Sequence, residues 1–426
     1  MPATTTSCAP SSSPSASPSN DRAVAVTGIG MLTPAGADTD TTWATMGHGR
    51  GLARRLDPLA GLPVEFGCAV SGFDPVAELG HRRARRLDRF THLALAAARR
   101  AVADAVLDTD AWNSPRVGVI LGVGSNSLSG YVREFTLLGQ QDPDRVSPLA
   151  LPRSIPNMAA AEVAIDLSVG GPSFTVASAC ASGATAIGIA QDLVTAGTCD
   201  IVLAGGAESG LAPMTATCFA RMRALSRRPG DPSTASRPFD TDRDGFVLSE
   251  GAAVLVLEHP RHARRRGAPT RALLQGHAST SDAHHFVAPH PDGAGAEAAV
   301  RAALAASGHR PRDIGHINAH GTSTRAGDTA EALALLRVFG TDPPPVTAPK
   351  SVLGHALGAS GAIEAALTVL TLQHQLIPPT ANLTRQDPEL SLNIVTDKAE
   401  PAPMTSAITN AFGFGGHNTV LVFSTP

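Results

Sequence analysis

Lysine is almost absent from this chain of 426 residues: of its 34 basic side chains only Lys350 and Lys398 are lysine, and the rest are arginine. Aromatic side chains are also scarce, at 4%, with one tyrosine and two tryptophans. No apolar run is long enough to cross a bilayer, which argues against a membrane-spanning chain. Neither sign of charge dominates. A formal net charge of -3 gives no global excess that would draw nucleic acid. The five cysteines, Cys8, Cys68, Cys180, Cys199 and Cys218, form no Cys-x-x-Cys pair, so a disulfide framework or zinc site is not expected. A reducing cytoplasm is the expected setting. Residues 1–20 have neither a basic start nor an apolar stretch, so they read as a disordered Ser/Pro-rich tail rather than a secretory signal.

What is abundant is alanine and glycine, which suit helices packed closely on a sheet. Segments resembling strands alternate with segments resembling helices throughout. Val24 to Gly28, Val117 to Gly122, Ile201 to Gly205 and Ala252 to Glu258 read as strands, with helices at Phe90 to Ala105, Ala159 to Leu167 and Ala181 to Thr195. Ala272 to Ser279 and His316 to Ala319 then read as strands, Ala294 to Ala306 and Gly361 to Gln373 as helices. This pattern predicts α/β layers around a mostly parallel sheet. A faint duplication runs through it: Glu250-Gly-Ala-Ala-Val-Leu-Val-Leu-Glu258 resembles Gly415-Gly-His-Asn-Thr-Val-Leu-Val-Phe423. The expected division is residues 21–270 and 271–426, two halves sharing one core.

Cys180 stands where a short buried strand, Ser173 to Ala177, turns into a helix. The positive end of a helix dipole there favours a thiolate nucleophile. Its neighbours Ala179, Ala181, Ser182 and Gly183 are small and leave room for a substrate. A buried structural cysteine is the plainer reading of such a residue taken alone. Two distant segments change the balance: Asn318-Ala-His320-Gly-Thr-Ser-Thr324, after an apolar stretch, and Lys350-Ser-Val-Leu-Gly-His355, before a long Ala/Gly/Leu helix. A nucleophile with histidines on separate loops is what covalent catalysis requires. Lys350 has survived a bias that replaced nearly every other lysine, and a compact ammonium differs from a guanidinium in reach and geometry. The chain closes with Asn410-Ala-Phe-Gly-Phe414-Gly-Gly-His-Asn418 and a last strand.

These four motifs, in this order, resemble the β-ketoacyl-acyl-carrier-protein synthases, the elongating Cys-His-His condensing enzymes of fatty acid and polyketide assembly, over Arg22 to Phe423. The resemblance implies a thiolase-like duplicated αβαβα five-layer sandwich. It implies that Cys180 carries the acyl chain, that His320 and His355 donate hydrogen bonds to the malonyl thioester oxygen, and that Lys350 supports them. Glu331, Glu364 and Asp328 match acidic positions that anchor this network. Phe414 matches a gating residue whose backbone N–H joins that of Cys180 in an oxyanion hole, with Phe412 beside it. Thr322 and Thr324 match hydroxyls that hold the phosphopantetheine arm of the acyl carrier protein. No intrinsic cofactor is implied. In some relatives positions matching Asn318, Glu364 and Asn410 surround a structural monovalent cation.

Acyl carrier protein is the implied partner. Arg82, Arg85, Arg86 and Arg223 fall where relatives carry docking cations, although a basic run such as Arg82 to Arg86 is usually just solvated surface. Ser125 aligns with a residue that floors the acyl pocket near the family's dimer interface. Both a homodimer and a heterodimer with a chain-length-factor-like subunit are open, as are fatty acid and polyketide pathways; a type II polyketide ketosynthase subunit is one form this takes. A non-catalytic chain-length-factor-like role is disfavoured by the presence of Cys180. Thiolases use a second cysteine near the C-terminus, and none follows Cys218. A cysteine hydrolase would release free acid instead of a condensation product.

Overall fold

A computed structural model describes residues 22–125 and 128–426; the tail at residues 1–20 lies outside the described residues. Ten strands form the main sheet. In the first half these are β1 (Val24–Leu32), β2 (Val117–Gly122), β3 (Ser173–Val176), β4 (Ile201–Ser209) and β5 (Glu250–Glu258). The second half supplies β6 (Ala272–Ser281), β7 (His316–Asn318), β8 (Val346–Thr347), β9 (Ser406–Gly413) and β10 (His417–Ser424). Helices α1 (Arg89–Asp104), α2 (Met158–Asp166) and α3 (Ser182–Thr195) separate the first four strands. Helices α4 (Ala294–Ser307), α5 (Arg325–Phe339) and α6 (Ser360–His374) do the same in the second half.

The two halves repeat one wiring. Within the first the strand order is β3-β2-β4-β5-β1, within the second β8-β7-β9-β10-β6, and β1 pairs with β6 to join them. The senses agree as well: β2 runs parallel to β3 and β4, and β7 parallel to β8 and β9, while β5 and β10 are antiparallel to both their neighbours within each half. The duplication seen between the segments at 250–258 and 415–423 is therefore that of β5 and β10. The expectation of a mostly parallel sheet is corrected, since β1, β4, β5, β6, β9 and β10 meet antiparallel. A strand-helix alternation reports the right-handed crossovers but not the returns. The return from β9 to β10 is a tight hairpin whose Gly415 and Gly416 take φ of +83° and +73°, values that favour glycine.

Five layers follow from where apolar faces go. α1 and α2 pack on the outer face of the first half, around Phe90, Leu93 and Val163. α4 and α5 cover the outer face of the second, around Val300, Leu335 and Ile408. α3 and α6 lie between, in a core containing Ile187, Leu367 and Leu421. α6 is buried at every position from Ser360 to Leu372, as a helix enclosed on both sides must be. β1 and β5 are buried at every position, so their unbroken apolar character reflects two covered faces.

Candidate active site

β3 ends at Val176, and the chain makes one 3-10 turn, Ala179–Ala181, before α3 begins at Ser182. Ala179 has φ of +50°, a region that non-glycine residues seldom occupy. The turn is held by Ser182, whose Oγ accepts from Ser178 N–H at 2.9 Å and donates to the Ala179 carbonyl at 2.6 Å. Strain that is over-determined in this way is typical of reactive centres. Cys180 sits in that turn and lines a cavity.

His320 and His355 reach the same cavity from the loops after β7 and before α6. Their rings meet edge to face with centroids 5.5 Å apart, His320 also lies 5.7 Å from Phe412, and His355 lies 5.3 Å from Phe246. Lys350, fully buried, donates through Nζ to the His320 carbonyl at 2.7 Å and to Glu364, and lies 3.2 Å from His320 Nδ1. An ammonium has only donors, so Nδ1 accepts and the ring proton belongs on Nε2. His355 Nδ1 lies 2.9 Å from Ser360 Oγ, and its backbone N–H donates to Val247 at 2.7 Å. Glu331 accepts from the N–H groups of His320 and Gly321, both at 2.8 Å, and from Asn410 Nδ2 at 2.9 Å. Asp328 accepts from Ser323 N–H at 3.1 Å and Phe239 N–H at 2.8 Å.

Thr322 and Thr324 bring their hydroxyls within 2.9 Å of each other and line the same cavity. Phe414 closes one wall, its ring 6.0 Å from that of Phe219. Gly413 allows the loop to approach: a Cβ there would stand 2.7 Å from the Ser178 carbonyl oxygen and 3.0 Å from Cys180 N.

Burial sets the protonation states. It drives His320 and His355 well below the usual histidine range, with Lys350 adding to the effect, so both rings are neutral. Burial raises Glu364 to about 7 against the pull of Lys350, raises Asp328 to about 7, and raises Glu331. It also pushes the Cys180 thiol up to about 12, opposed by Lys350 and by the Phe414 N–H. The thiolate expected from the helix dipole is thus opposed by desolvation, which favours the thiol at Cys180.

Asn318 Oδ1, Glu364 Oε2 and Asn410 Oδ1 are buried without a hydrogen-bond partner among the described residues. Such orphaned oxygens are costly unless something meets them, and they suit a cation with oxygen ligands. They belong to the three residues that the resemblance associates with a structural monovalent cation in some relatives.

The remaining expected residues are placed less favourably. Ser125 is exposed, its Oγ 3.3 Å from Glu208, and it does not line the cavity. Arg86 is engaged by the buried Glu162 at 2.6 Å, whereas Arg82, Arg85 and Arg223 lie exposed. Sequence reasoning missed Phe219 and Phe246, which wall the cavity. It also missed Asp282, which accepts from Asn418 Nδ2 at 2.7 Å and so ties β6 to the strand after the Phe414 loop. Only the Gly-Phe-Gly-Gly context of Phe414 hinted at a second loop against it.

Residues 21–263 match the family described as "Beta-ketoacyl synthase, N-terminal domain", and residues 271–384 the "Beta-ketoacyl synthase, C-terminal domain". The chain is 41% identical over 405 residues to the "3-oxoacyl-[acyl-carrier-protein] synthase 2" of Synechocystis sp., covering 94% of this chain and 97% of that protein. Among solved structures it resembles "The ishigamide ketosynthase/chain length factor", with a TM-score of 0.89 and 32% identity over 95% of this chain and 99% of that one. It also resembles a ketosynthase solved as a "type II PKS acyl-carrier protein in complex with its ketosynthase bound to the hexaketide", with a TM-score of 0.87 and 29% identity over the same shares. The chain belongs to the β-ketoacyl synthase family.

Proposed function

We propose that this β-ketoacyl synthase condenses a Cys180-bound acyl chain with the malonyl group of an acyl carrier protein. The observation that carries the reading is one cavity in which Cys180 faces two neutral imidazoles, one with its tautomer fixed by Lys350. In the first half-reaction the Cys180 sulfur attacks the carrier thioester, its oxyanion meeting the N–H groups of Cys180 and Phe414. The thiol proton passes to the departing phosphopantetheine thiol, and the acyl group stays on Cys180. In the second, the malonyl thioester loses carbon dioxide, and the electron pair of the broken C–C bond forms an enolate.

Neutral Nε2–H groups on His320 and His355 stabilise that enolate oxygen. Uncharged donors cost less to keep in a dry apolar cavity than ions would. The enolate carbon then attacks the Cys180 thioester, and collapse of the tetrahedral intermediate expels the sulfur as a thiolate, which takes a proton from solvent to restore the thiol. The product is a β-ketoacyl chain on the carrier, longer by two carbons. Release of carbon dioxide drives the step, so no cofactor of the protein's own enters it. Lys350, Glu364, Glu331 and Asp328 hold the two histidine loops, and Thr322 and Thr324 receive the phosphopantetheine arm.

The carrier is an acidic partner, and the exposed Arg82, Arg85 and Arg223 are the cations assigned to it. A second subunit, identical or of the chain-length-factor kind, is assigned to the edge of β3. That edge exposes Phe174, and the segment beside it exposes Phe135, Leu138 and Leu151. An open strand edge beside apolar side chains is an association site. The four free cysteines among the described residues fit a reducing cytoplasm. No described helix is long and apolar enough to cross a membrane.

The test supplies acyl- and malonyl-carrier proteins to the purified chain and follows the carriers by intact-protein mass spectrometry. A carrier bearing the chain extended by two carbons, with loss of carbon dioxide, is expected. Free acid as the main product would replace condensation with hydrolysis.

A further inference from the structure

Glu208, near the end of β4, is a buried carboxylate outside the histidine network. Its Oε2 accepts from Gly124 N–H at 2.8 Å and Gly358 N–H at 3.3 Å, and its Oε1 lies 3.3 Å from Ser125 Oγ. Among the described residues no basic side chain forms a salt bridge with it. Gly124 follows β2, and Gly358 lies in the turn three residues after His355. One carboxylate therefore ties together two segments far apart in sequence.

The backbone around it is packed too tightly for side chains. A Cβ on Gly358 would stand 2.2 Å from Gly124 N and 2.9 Å from Glu208 Oε2; one on Gly124 would meet the same carboxylate oxygen at 2.9 Å and the Ala179 carbonyl oxygen at 3.1 Å. One on Gly183, at the start of α3, would meet the Gly358 carbonyl oxygen at 3.0 Å. The turn that bears Cys180, the turn after His355 and the loop after β2 thus touch main chain to main chain. Such close contacts transmit position without slack.

The carboxylate sits there at a cost. Burial without a cation pushes it up to about 7, and its charge opposes formation of the Cys180 thiolate. A group that works against the nucleophile while holding the segment beside the decarboxylation site is explained by geometry.

We infer that Glu208 is a positioning residue for the condensation, clamping the turn after His355 to the Gly124 loop and so fixing His355 relative to Cys180. This rests on the function proposed above. The two half-reactions separate clamp from scaffold. In Glu208→Ala, decarboxylation of malonyl-carrier protein should fall roughly tenfold or more, as misplacement of a reacting group does. Alkylation of Cys180 by iodoacetamide should not slow, because the opposing charge is gone. Glu208→Gln can keep an oxygen on both glycine N–H groups and should recover most of the lost decarboxylation. If the alanine variant does not fold, Glu208→Asp retains the charge and withdraws the clamp: decarboxylation should fall while alkylation stays at the wild-type rate. Unchanged decarboxylation, or both rates falling together, would overturn the inference. Absence of malonyl decarboxylation in the wild-type protein would instead count against the proposed function.

Discussion

Lys350 holds His320 at two points, donating to its carbonyl oxygen at 2.7 Å while lying 3.2 Å from ring Nδ1. Both contacts come from one fully buried ammonium whose other partner is Glu364. The first fixes the loop, and the second fixes which ring nitrogen carries the proton. A chain whose one other lysine is Lys398 has lysine here, where a planar guanidinium could not fit three converging acceptors in so small a space.

Lys350→Arg should therefore behave as a loss, not a conservative change. Malonyl decarboxylation should drop on the order of a hundredfold, the scale of losing a preorganised donor. Acylation of Cys180 should survive at least in part. Single-turnover assays of each half-reaction check this; equal losses in both would place Lys350 in the general scaffold.

The two histidines should show the same split. His320→Ala and His355→Ala remove enolate donors and should each cost roughly a hundredfold to a thousandfold in decarboxylation, with acyl transfer to Cys180 retained in part. Carbon dioxide release and intact mass read the two steps independently. A variant that condensed at the wild-type rate would show its histidine to be structural.

His316, on β7, supplies a pH dependence. It is fully buried, neither ring nitrogen has a hydrogen-bond partner among the described residues, and burial lowers it to about 3. Its folded-state value lies below the unfolded value of about 6.5, so the unfolded chain binds the extra proton. Above pH 6.5 the ring is neutral in both states and titration costs nothing; stability is lost as pH falls from there toward 3. At pH 5 the loss is about 2 kcal/mol. His316→Phe should abolish that part of the acid sensitivity. Urea midpoints at pH 8 and pH 5 measure it: the variant should gain on the wild type as pH falls, and a constant difference would contradict the assignment.

Gly413→Ala tests the approach of the Phe414 loop to the nucleophile turn. The added methyl would stand 2.7 Å from the Ser178 carbonyl oxygen, so the loop must move away from Cys180. Cys180 acylation should slow roughly tenfold or more, because the Phe414 N–H leaves the oxyanion position. Unchanged acylation would show that this N–H is not used.

Much of the site was readable because its chemistry is carried by local context: Cys180 at a strand-to-helix junction, His320 and His355 in small-residue loops, Lys350 against an arginine background. What escaped depends on contacts with no local period. Ser249 N–H donates to the His355 carbonyl at 3.1 Å across a hundred residues of chain, and this brings Phe246 to the histidine. Glu208 looks like an ordinary strand end until Gly124 and Gly358 are seen beside it. The preference for a thiol at Cys180 follows from desolvation, which a dipole argument from sequence does not contain. The antiparallel returns of β5 and β10 were missed because strand sense is set by connections, and a strand-helix alternation reveals only half of them. Ser125, placed by alignment in the acyl pocket near a dimer interface, is exposed in the single chain and outside the described cavity.

Trapping the acyl-enzyme tests the central claim most directly. The purified protein is incubated with acyl-carrier protein alone, and the adduct is mapped by peptide mass spectrometry in the wild type and in Cys180→Ala. A single acyl group on Cys180, discharged by malonyl-carrier protein as extended product and absent from the variant, is the predicted result. An adduct that persists in Cys180→Ala, or that maps to Cys68 or Cys199, would contradict the account.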